Sequence, residues 1–118
     1  MSFNPNYIPD FNDRQAADAT ADRDRIMNKI AAAAREGVDP RSQAAMELVD
    51  EYRFGFIDKW MYKSTPIIFF GLSAVVEDNR PDKLAYDAYG EGTALWLKTA
   101  FRAYYYYAKG QPIPEELF

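Results

Sequence analysis

Few side chains in this sequence can carry out covalent or acid–base chemistry. The chain contains neither Cys nor His, which excludes thiolate nucleophiles, disulfides, histidine bases, His-ligated haem and the usual His-containing zinc sites. The nucleophile arrangement that remains is Ser64 near Lys59 or Lys63. Because neighbouring residues seldom point at each other, we do not expect a Ser-Lys dyad, and we predict that the protein is not an enzyme.

The acidic residues do not form a recognisable metal-binding motif. They occur as the pairs Asp50–Glu51, Glu77–Asp78 and Glu115–Glu116, and none of these pairs has the spacing of a metal-binding motif. Without His, a carboxylate-only site is a weak ligand set for transition metals. We therefore predict solvated charges, with no metal and no cofactor.

Aromatic residues are the distinctive feature of the composition, with nine Tyr, eight Phe and two Trp. They favour either a core built from large side chains or an aromatic-lined pocket or interface. The segment 58–65 combines rings, hydroxyls and charges between two apolar stretches. This composition suits a mixed polar–aromatic pocket, and an ordinary turn between helices is the alternative.

Length and charge bound the class of protein. A chain of 118 residues with 48% apolar residues is expected to form one folded domain. The net charge of −4 argues against nucleic acid as a partner. No apolar run approaches the roughly 20 residues that span a membrane, and the first residues do not resemble a signal peptide. We expect a cytoplasmic protein that does not bind membranes.

Hydrophobic periodicity and helix-stop residues predict an all-α bundle of about five helices. We expect an N-terminal arm over residues 1–12, a helical domain over 13–110 and a tail over 111–118. The predicted helices are about Asp13–Arg35, Asp39–Met61 with Pro40 in its first turn, Pro66–Val76, Asp82–Tyr89 and Thr93–Lys109. Residues 77–81 are expected to form a loop.

Four details of these helices lead to further expectations. The first half of the first helix is polar or Ala, so it is stable only if something covers it. The helix after Pro66 is apolar all round and is expected to be central. Gly55 allows close approach of another helix or a ligand. Tyr104–Tyr107 surround one helical turn, so one or two of these rings must face a partner, a pocket or solvent.

The chain from about Asp13 to Tyr104 resembles the TipAS antibiotic-recognition domain, the drug-binding half of some mercury-resistance-type (MerR) transcription regulators. The resemblance rests on short motifs in matching order: Gly37–Ser42 followed by Ala45–Met46 and Asp50–Arg53, then Trp60–Ser64 with Leu72, and finally Asp87–Ala94 with Leu97.

The resemblance implies a helical, globin-like fold without haem. It also implies a groove for large antibiotics such as thiopeptides, or for aromatic oligoamides in related resistance proteins. In this family the N-terminal part can be disordered until ligand binds.

Three departures from the family pattern limit what is carried over. The Cys that links thiopeptides covalently in the founding member falls at Ser64, so covalent capture is not expected. The His-containing start of the family's helix is replaced by the apolar residues 67–70, which predicts a more apolar pocket. Only the arm precedes the first predicted helix, so we do not expect a DNA-binding half in this chain.

We therefore expect a non-enzymatic domain that binds a large, partly aromatic small molecule, for drug sequestration or sensing. The predicted lining residues are Tyr52, Phe56, Trp60, Tyr62, Ser64, Phe69, Tyr89, Trp96 and Tyr104. The alternative is a helical protein–protein interaction module or a homo-oligomerising domain, such as a homodimer, that kept the fold without drug binding. Its interface would contain the arm, the Tyr run and Phe118.

Overall fold

A computed structural model describes residues 11–78 and 80–117. Within these residues the chain forms five α-helices and one π-helix, as the prediction of an all-α bundle requires. They are α1 (Asp13–Arg35), α2 (Gln43–Tyr52), the π-helix (Arg53–Met61), α3 (Pro66–Asp78), α4 (Arg80–Asp87) and α5 (Thr93–Ala108). Most of the predicted N-terminal arm, residues 1–10, lies outside the described residues.

The first helix begins and ends where local chemistry predicts. The Asn12 side chain accepts a hydrogen bond from the Gln15 N–H at 2.8 Å, and the Gln15 side chain accepts one from the Asn12 N–H at 3.2 Å. This reciprocal capping box satisfies two N–H groups that an α-helix leaves open at its start. At the other end Gly37 has a φ of 76°, a conformation that costs glycine little.

The start predicted for the second helix is wrong by several residues. Asp39 accepts a hydrogen bond from the Arg41 N–H at 2.9 Å, which holds the chain around Pro40 in a turn. The helix begins instead at Gln43, where the Ser42 hydroxyl caps it by accepting from the Ala45 N–H at 3.2 Å. The side chain of Asp39 thus delays the helix by stabilising a turn.

The second half of that helix winds as a π-helix over Arg53–Met61. Its last turn shows the characteristic bond, from the Tyr62 N–H to the Ile57 carbonyl oxygen five residues earlier at 3.0 Å. Such windings are rare, mostly one turn long, and frequent at functional sites. Inside it, Gly55 lies against Ile26 of α1: a Cβ at Gly55 would be 3.0 Å from Ile26 Cδ1. The expected close approach is therefore to another helix.

The loop predicted over residues 77–81 is also wrong, because α3 continues to Asp78 and α4 begins at Arg80. Pro81 is the second residue of α4, a position where its missing N–H has no intrahelical partner to lose. The predicted end of this helix at Tyr89 shifts to Asp87.

The central helix is α5, which packs against α1, α2, α3 and α4. The prediction that α3 is central is therefore wrong. That helix packs against α4 and α5, and its Ile67 side chain remains 58% exposed. The apolar composition of α3 reflects one buried face and one face that is partly open to solvent.

The tail after α5 returns to the body of the domain. Gly110 has a φ of 70°, and the following segment carries Ile113 and Leu117 onto the hydrophobic core. The Arg41 guanidinium donates to the Glu115 carbonyl oxygen. Among the described residues, no helix combines enough length and hydropathy to cross a membrane.

The contact at Gly55 gives a testable contrast. Gly55→Leu should lower the free energy of unfolding by about 1–3 kcal/mol, because the added side chain overpacks against buried Ile26. The matched control is Gly71→Leu on α3, where a Cβ meets nothing within 4 Å. That substitution should be neutral or stabilise by up to about 1 kcal/mol, the helix-propensity gain. Denaturant unfolding measures both, and equal effects would contradict the packing role of Gly55.

Candidate functional site

Four of the predicted lining residues meet in a buried aromatic cluster. Tyr52 and Phe56 have ring centroids 5.7 Å apart, and Phe69 and Tyr104 are 4.8 Å apart. Phe101 of α5 joins the two pairs, at 6.1 Å from Tyr52 and 5.7 Å from Phe69. All five residues have an exposed fraction of 0%. In this conformation the cluster is a closed core.

A charged side chain lies at one end of the cluster. The Arg53 guanidinium carbon is 4.8 Å from the ring centroid of Phe54 and 5.9 Å from those of Phe69 and Tyr104. These distances are typical of cation–π contacts. Arg53 also donates to the Tyr104 hydroxyl at 3.3 Å. The site therefore combines apolar ring area with an oriented cation.

The Tyr104 hydroxyl connects this cation to a carboxylate. It donates to Asp50 Oδ1 at 2.5 Å while accepting from Arg53. Burial, and then the hydrogen bond to Asp50, raise the pKa of Tyr104. The phenol is therefore protonated at neutral pH and acts as a hydrogen-bond donor.

Ser64 lies on the other side of Arg53 and is buried. Its hydroxyl accepts from Arg53 Nε at 3.1 Å and donates to Asp58 Oδ1 at 2.5 Å, and its N–H donates to the same carboxylate at 2.8 Å. Lys59 Nζ instead contacts Asp22 at 2.8 Å. Ser64 is thus held between an arginine and an aspartate, and Lys59 pairs with Asp22 rather than with Ser64.

The polar first half of α1 covers the π-helix through side-chain contacts. Asp22 Oδ2 accepts from both Lys59 Nζ and the Trp60 indole N–H at 2.8 Å. Phe11 packs edge-on against the Trp60 ring with centroids 5.6 Å apart. The sequence predicted that this half-helix is stable only if something covers it. In the structure Ala19 is buried and Asp22 contacts the π-helix, while Asp13, Ala17 and Asp18 remain exposed.

Tyr89, which follows α4, also contacts α1. Its hydroxyl donates to Asp24 of α1 at 2.7 Å. Burial and this hydrogen bond raise the pKa of Tyr89 to about 12. Trp60 and Tyr89, both predicted lining residues, therefore contact the same helix, through Asp22 and Asp24 of α1.

The last two predicted residues have other surroundings. Tyr62 follows the π-helix and is 40% exposed. The Trp96 indole N–H donates to the Val38 carbonyl oxygen at 2.7 Å, in the turn between α1 and α2. In this conformation Trp96 stabilises that turn.

Sequence reasoning did not select several residues that the structure brings into the cluster. Arg53 had a signal, since it is a charged residue on the apolar face of the second helix. Phe101 and Tyr86 lie on predicted helices, but the sequence did not assign either residue to the site. Asp22 had no signal, because its partners lie 37 and 38 residues away in the sequence.

The arrangement is suited to binding and orienting a molecule. Rings supply apolar area, while Arg53, Ser64 and Tyr104 supply donors and acceptors at fixed positions. Across residues 11–78 and 80–117, no three acidic side chains come together as a candidate metal site.

The contacts of Asp22 predict a pH-dependent stability. Hydrogen bonds from Lys59 and Trp60 lower the pKa of Asp22 below its ordinary value of 3.8. A carboxylate with a lowered pKa stabilises the folded state above the unfolded pKa and loses that effect as pH falls through the folded pKa. Asp22→Asn should therefore reduce the free energy of unfolding by about 1 kcal/mol at pH 7, and this difference should shrink below pH 3.8.

The matched control is Asp18→Asn, which removes the same charge from an exposed position on the same helix. Thermal unfolding of both variants and the wild type from about pH 2 to about pH 7, a range that includes the transition below pH 3.8, makes the comparison. An equal loss for both variants would show that net charge, and not the contact with Lys59 and Trp60, is responsible.

No curated protein and no solved structure matches this chain. A family model described as the TipAS antibiotic-recognition domain matches residues 8–104, which includes α1 to α4, the π-helix and most of α5. Because this match covers well over half of the chain, the protein belongs to the TipAS antibiotic-recognition domain family.

Proposed function

We propose that this domain binds a large, partly aromatic small molecule without chemical turnover, for sequestration or sensing. The observation that carries the proposal is the position of the π-helix. It contains Phe56 and Trp60, and Tyr52, Tyr62 and Ser64 flank it. A nine-residue π-helix is a rare winding, and such irregular elements persist where function requires them.

The side chains around the π-helix suit a mixed ligand. Stacked and edge-on rings favour aromatic groups, and each well-packed aromatic pair adds about 0.5–1.5 kcal/mol beyond area burial. Arg53 and Ser64 offer polar groups that fix orientation. This combination of side chains suits the binding of antibiotics that alternate aromatic rings with amides. The family resemblance implies the same class of ligand.

Entry of a ligand requires the closed cluster to open. The element best suited to move is the first half of α1, because polar contacts from Asp22 and Asp24 hold it over Trp60 and Tyr89. Hydrogen bonds to a carboxylate contribute about 1.5–3 kcal/mol each, and water can replace the protein donor when the helix moves away. The resemblance to a family whose N-terminal part orders on ligand binding favours the same element.

Capture is proposed to be non-covalent. Ser64 falls where the founding family member carries its reactive Cys, and a serine hydroxyl needs a base to act as a nucleophile. Here the hydroxyl donates to Asp58 and accepts from Arg53. We propose that Ser64 orients the ligand through hydrogen bonds.

The direct test is thermal unfolding against thiopeptides, albicidin-like aromatic oligoamides and other large aromatic antibiotics. A ligand that binds only the folded state raises stability by about 2.7 kcal/mol at a hundredfold excess over Kd. We expect a dose-dependent rise in Tm with one chemical class. No rise with any compound would contradict the proposal.

Substitution of the two Trp residues tests the proposed lining. With a compound that raises Tm, Trp60→Ala or Trp96→Ala should weaken binding by more than about 1 kcal/mol if that ring is an anchor. The control is Leu95→Ala, which truncates an exposed apolar side chain on α5. Titration calorimetry gives the affinities, and unchanged binding in both Trp variants would remove these residues from the site.

A second candidate function is a protein–protein interaction module or homodimer. The observation that favours it is the set of large apolar side chains exposed on the surface. They are Phe54, Tyr62, Ile67, Leu84 and Leu95. Sedimentation velocity distinguishes this candidate, since a stable dimer that binds no compound of the panel would support it.

A further inference from the structure

Two tyrosine hydroxyls meet inside the aromatic core. Tyr52 of α2 and Tyr86 of α4 are both fully buried, and their hydroxyl oxygens lie 3.4 Å apart. The rings of both residues pack against Phe side chains: the ring centroids of Phe56 and Tyr52 are 5.7 Å apart, and those of Phe101 and Tyr86 are 6.3 Å apart. A polar pair therefore lies inside the buried aromatic cluster.

The pair is poorly satisfied. Hydroxyl–hydroxyl hydrogen bonds are usually about 2.7–2.8 Å long, so a separation of 3.4 Å is a weak interaction. Each phenol has one donor and can also accept, yet in the part of the chain that the structure describes each of these hydroxyls pairs only with the other. One hydroxyl hydrogen therefore has no acceptor.

The two buried hydroxyls lower the stability of the fold compared with Phe at both positions. Phe has the same ring without the hydroxyl, and apolar replacement of two weakly bonded buried polar groups is nearly neutral or stabilising. Burial raises the pKa of both phenols, so both are protonated at neutral pH and keep their donors. A buried hydroxyl hydrogen that has no acceptor in the fold points to an acceptor on a ligand.

We infer that the hydroxyls of Tyr52 and Tyr86 form a polar subsite in the aromatic core that binds a carbonyl or hydroxyl group of an aromatic ligand. The inference rests on the proposed function and adds a contact to it. The cluster then has two polar positions joined by rings, because Phe101 contacts both Tyr52 and Phe69, and Phe69 contacts Tyr104 beside Arg53.

This geometry selects a class of ligand. The favoured ligand is elongated, with an aromatic middle and hydrogen-bonding groups at two separate places, as in an aromatic oligoamide. A flat hydrocarbon such as pyrene could use the rings but not the hydroxyls. A site that hydrogen-bonds a polar group discriminates against a ligand lacking it, since its own donors would remain unpaired.

The experiment compares Tyr52→Phe, Tyr86→Phe and the double variant with the wild type. The matched control is Tyr105→Phe, which removes a hydroxyl that accepts from exposed Lys109. The probes are an aromatic oligoamide, a thiopeptide and pyrene, and the readouts are Kd by titration and Tm without ligand.

We expect the double variant to raise the Kd of the oligoamide or the thiopeptide about tenfold, which corresponds to about 1.4 kcal/mol. The Kd of the double variant for pyrene should equal that of the wild type. The Tyr105→Phe variant should bind every probe with the wild-type Kd. The Tm of the double variant without ligand should stay the same or rise.

Two results would overturn the inference alone. One is equal affinity of the double variant and the wild type for every probe that the wild type binds. The other is a fall in Tm of more than about 4 °C without ligand, which would mean that the pair stabilises the fold itself. If neither polar probe binds the wild type, the proposed function fails and the inference fails with it.

Discussion

Phe101 on α5 contacts one ring from each of three other helices: Tyr52 of α2, Phe69 of α3 and Tyr86 of α4. An aromatic side chain buries about 150–250 Å², so these four rings together cover much of the interior of a small domain. Because α5 also packs against α1, its position fixes the positions of the other helices. The candidate site is built from the same rings that hold the fold together.

Polar groups lie at the edge of the ring cluster, where Arg53 and Asp50 are partly buried. A core that only stabilised the fold would favour apolar side chains, since each buried polar group must find a partner. Here Arg53 reaches Ser64 and Tyr104, and through Tyr104 it reaches Asp50. Most of these groups are paired with one another, which makes the network compatible with folding.

The sequence predicts the end of a helix where residues next to that end determine it. Gly37 and Gly110 end helices because both adopt positive φ, and the Ala-rich stretch of α1 favours helix wherever it lies. The start of α2 was misplaced because Asp39 can either cap a helix or hold a turn, and the sequence does not decide between the two. The π-helix had no local signal, since its bonds differ from those of an α-helix by one residue.

The candidate site also has some features that the sequence predicts and others that depend on packing. Residue types alone established that Cys and His chemistry is absent, that rings dominate, and that segment 58–65 mixes rings with hydroxyls. Short motifs along the chain also indicated the family, which the match over residues 8–104 confirms.

Only the tertiary structure decided which residues meet. It joined Asp22 to Trp60, Arg53 to Ser64 and Tyr52 to Tyr86, and it made α5 rather than α3 central. The physical reason is that composition and periodicity determine which face of a helix is apolar, while the partner of that face depends on how all the helices pack. Contacts between residues more than thirty positions apart, such as Tyr52 and Tyr86, arise from that packing and have no signature in the local sequence.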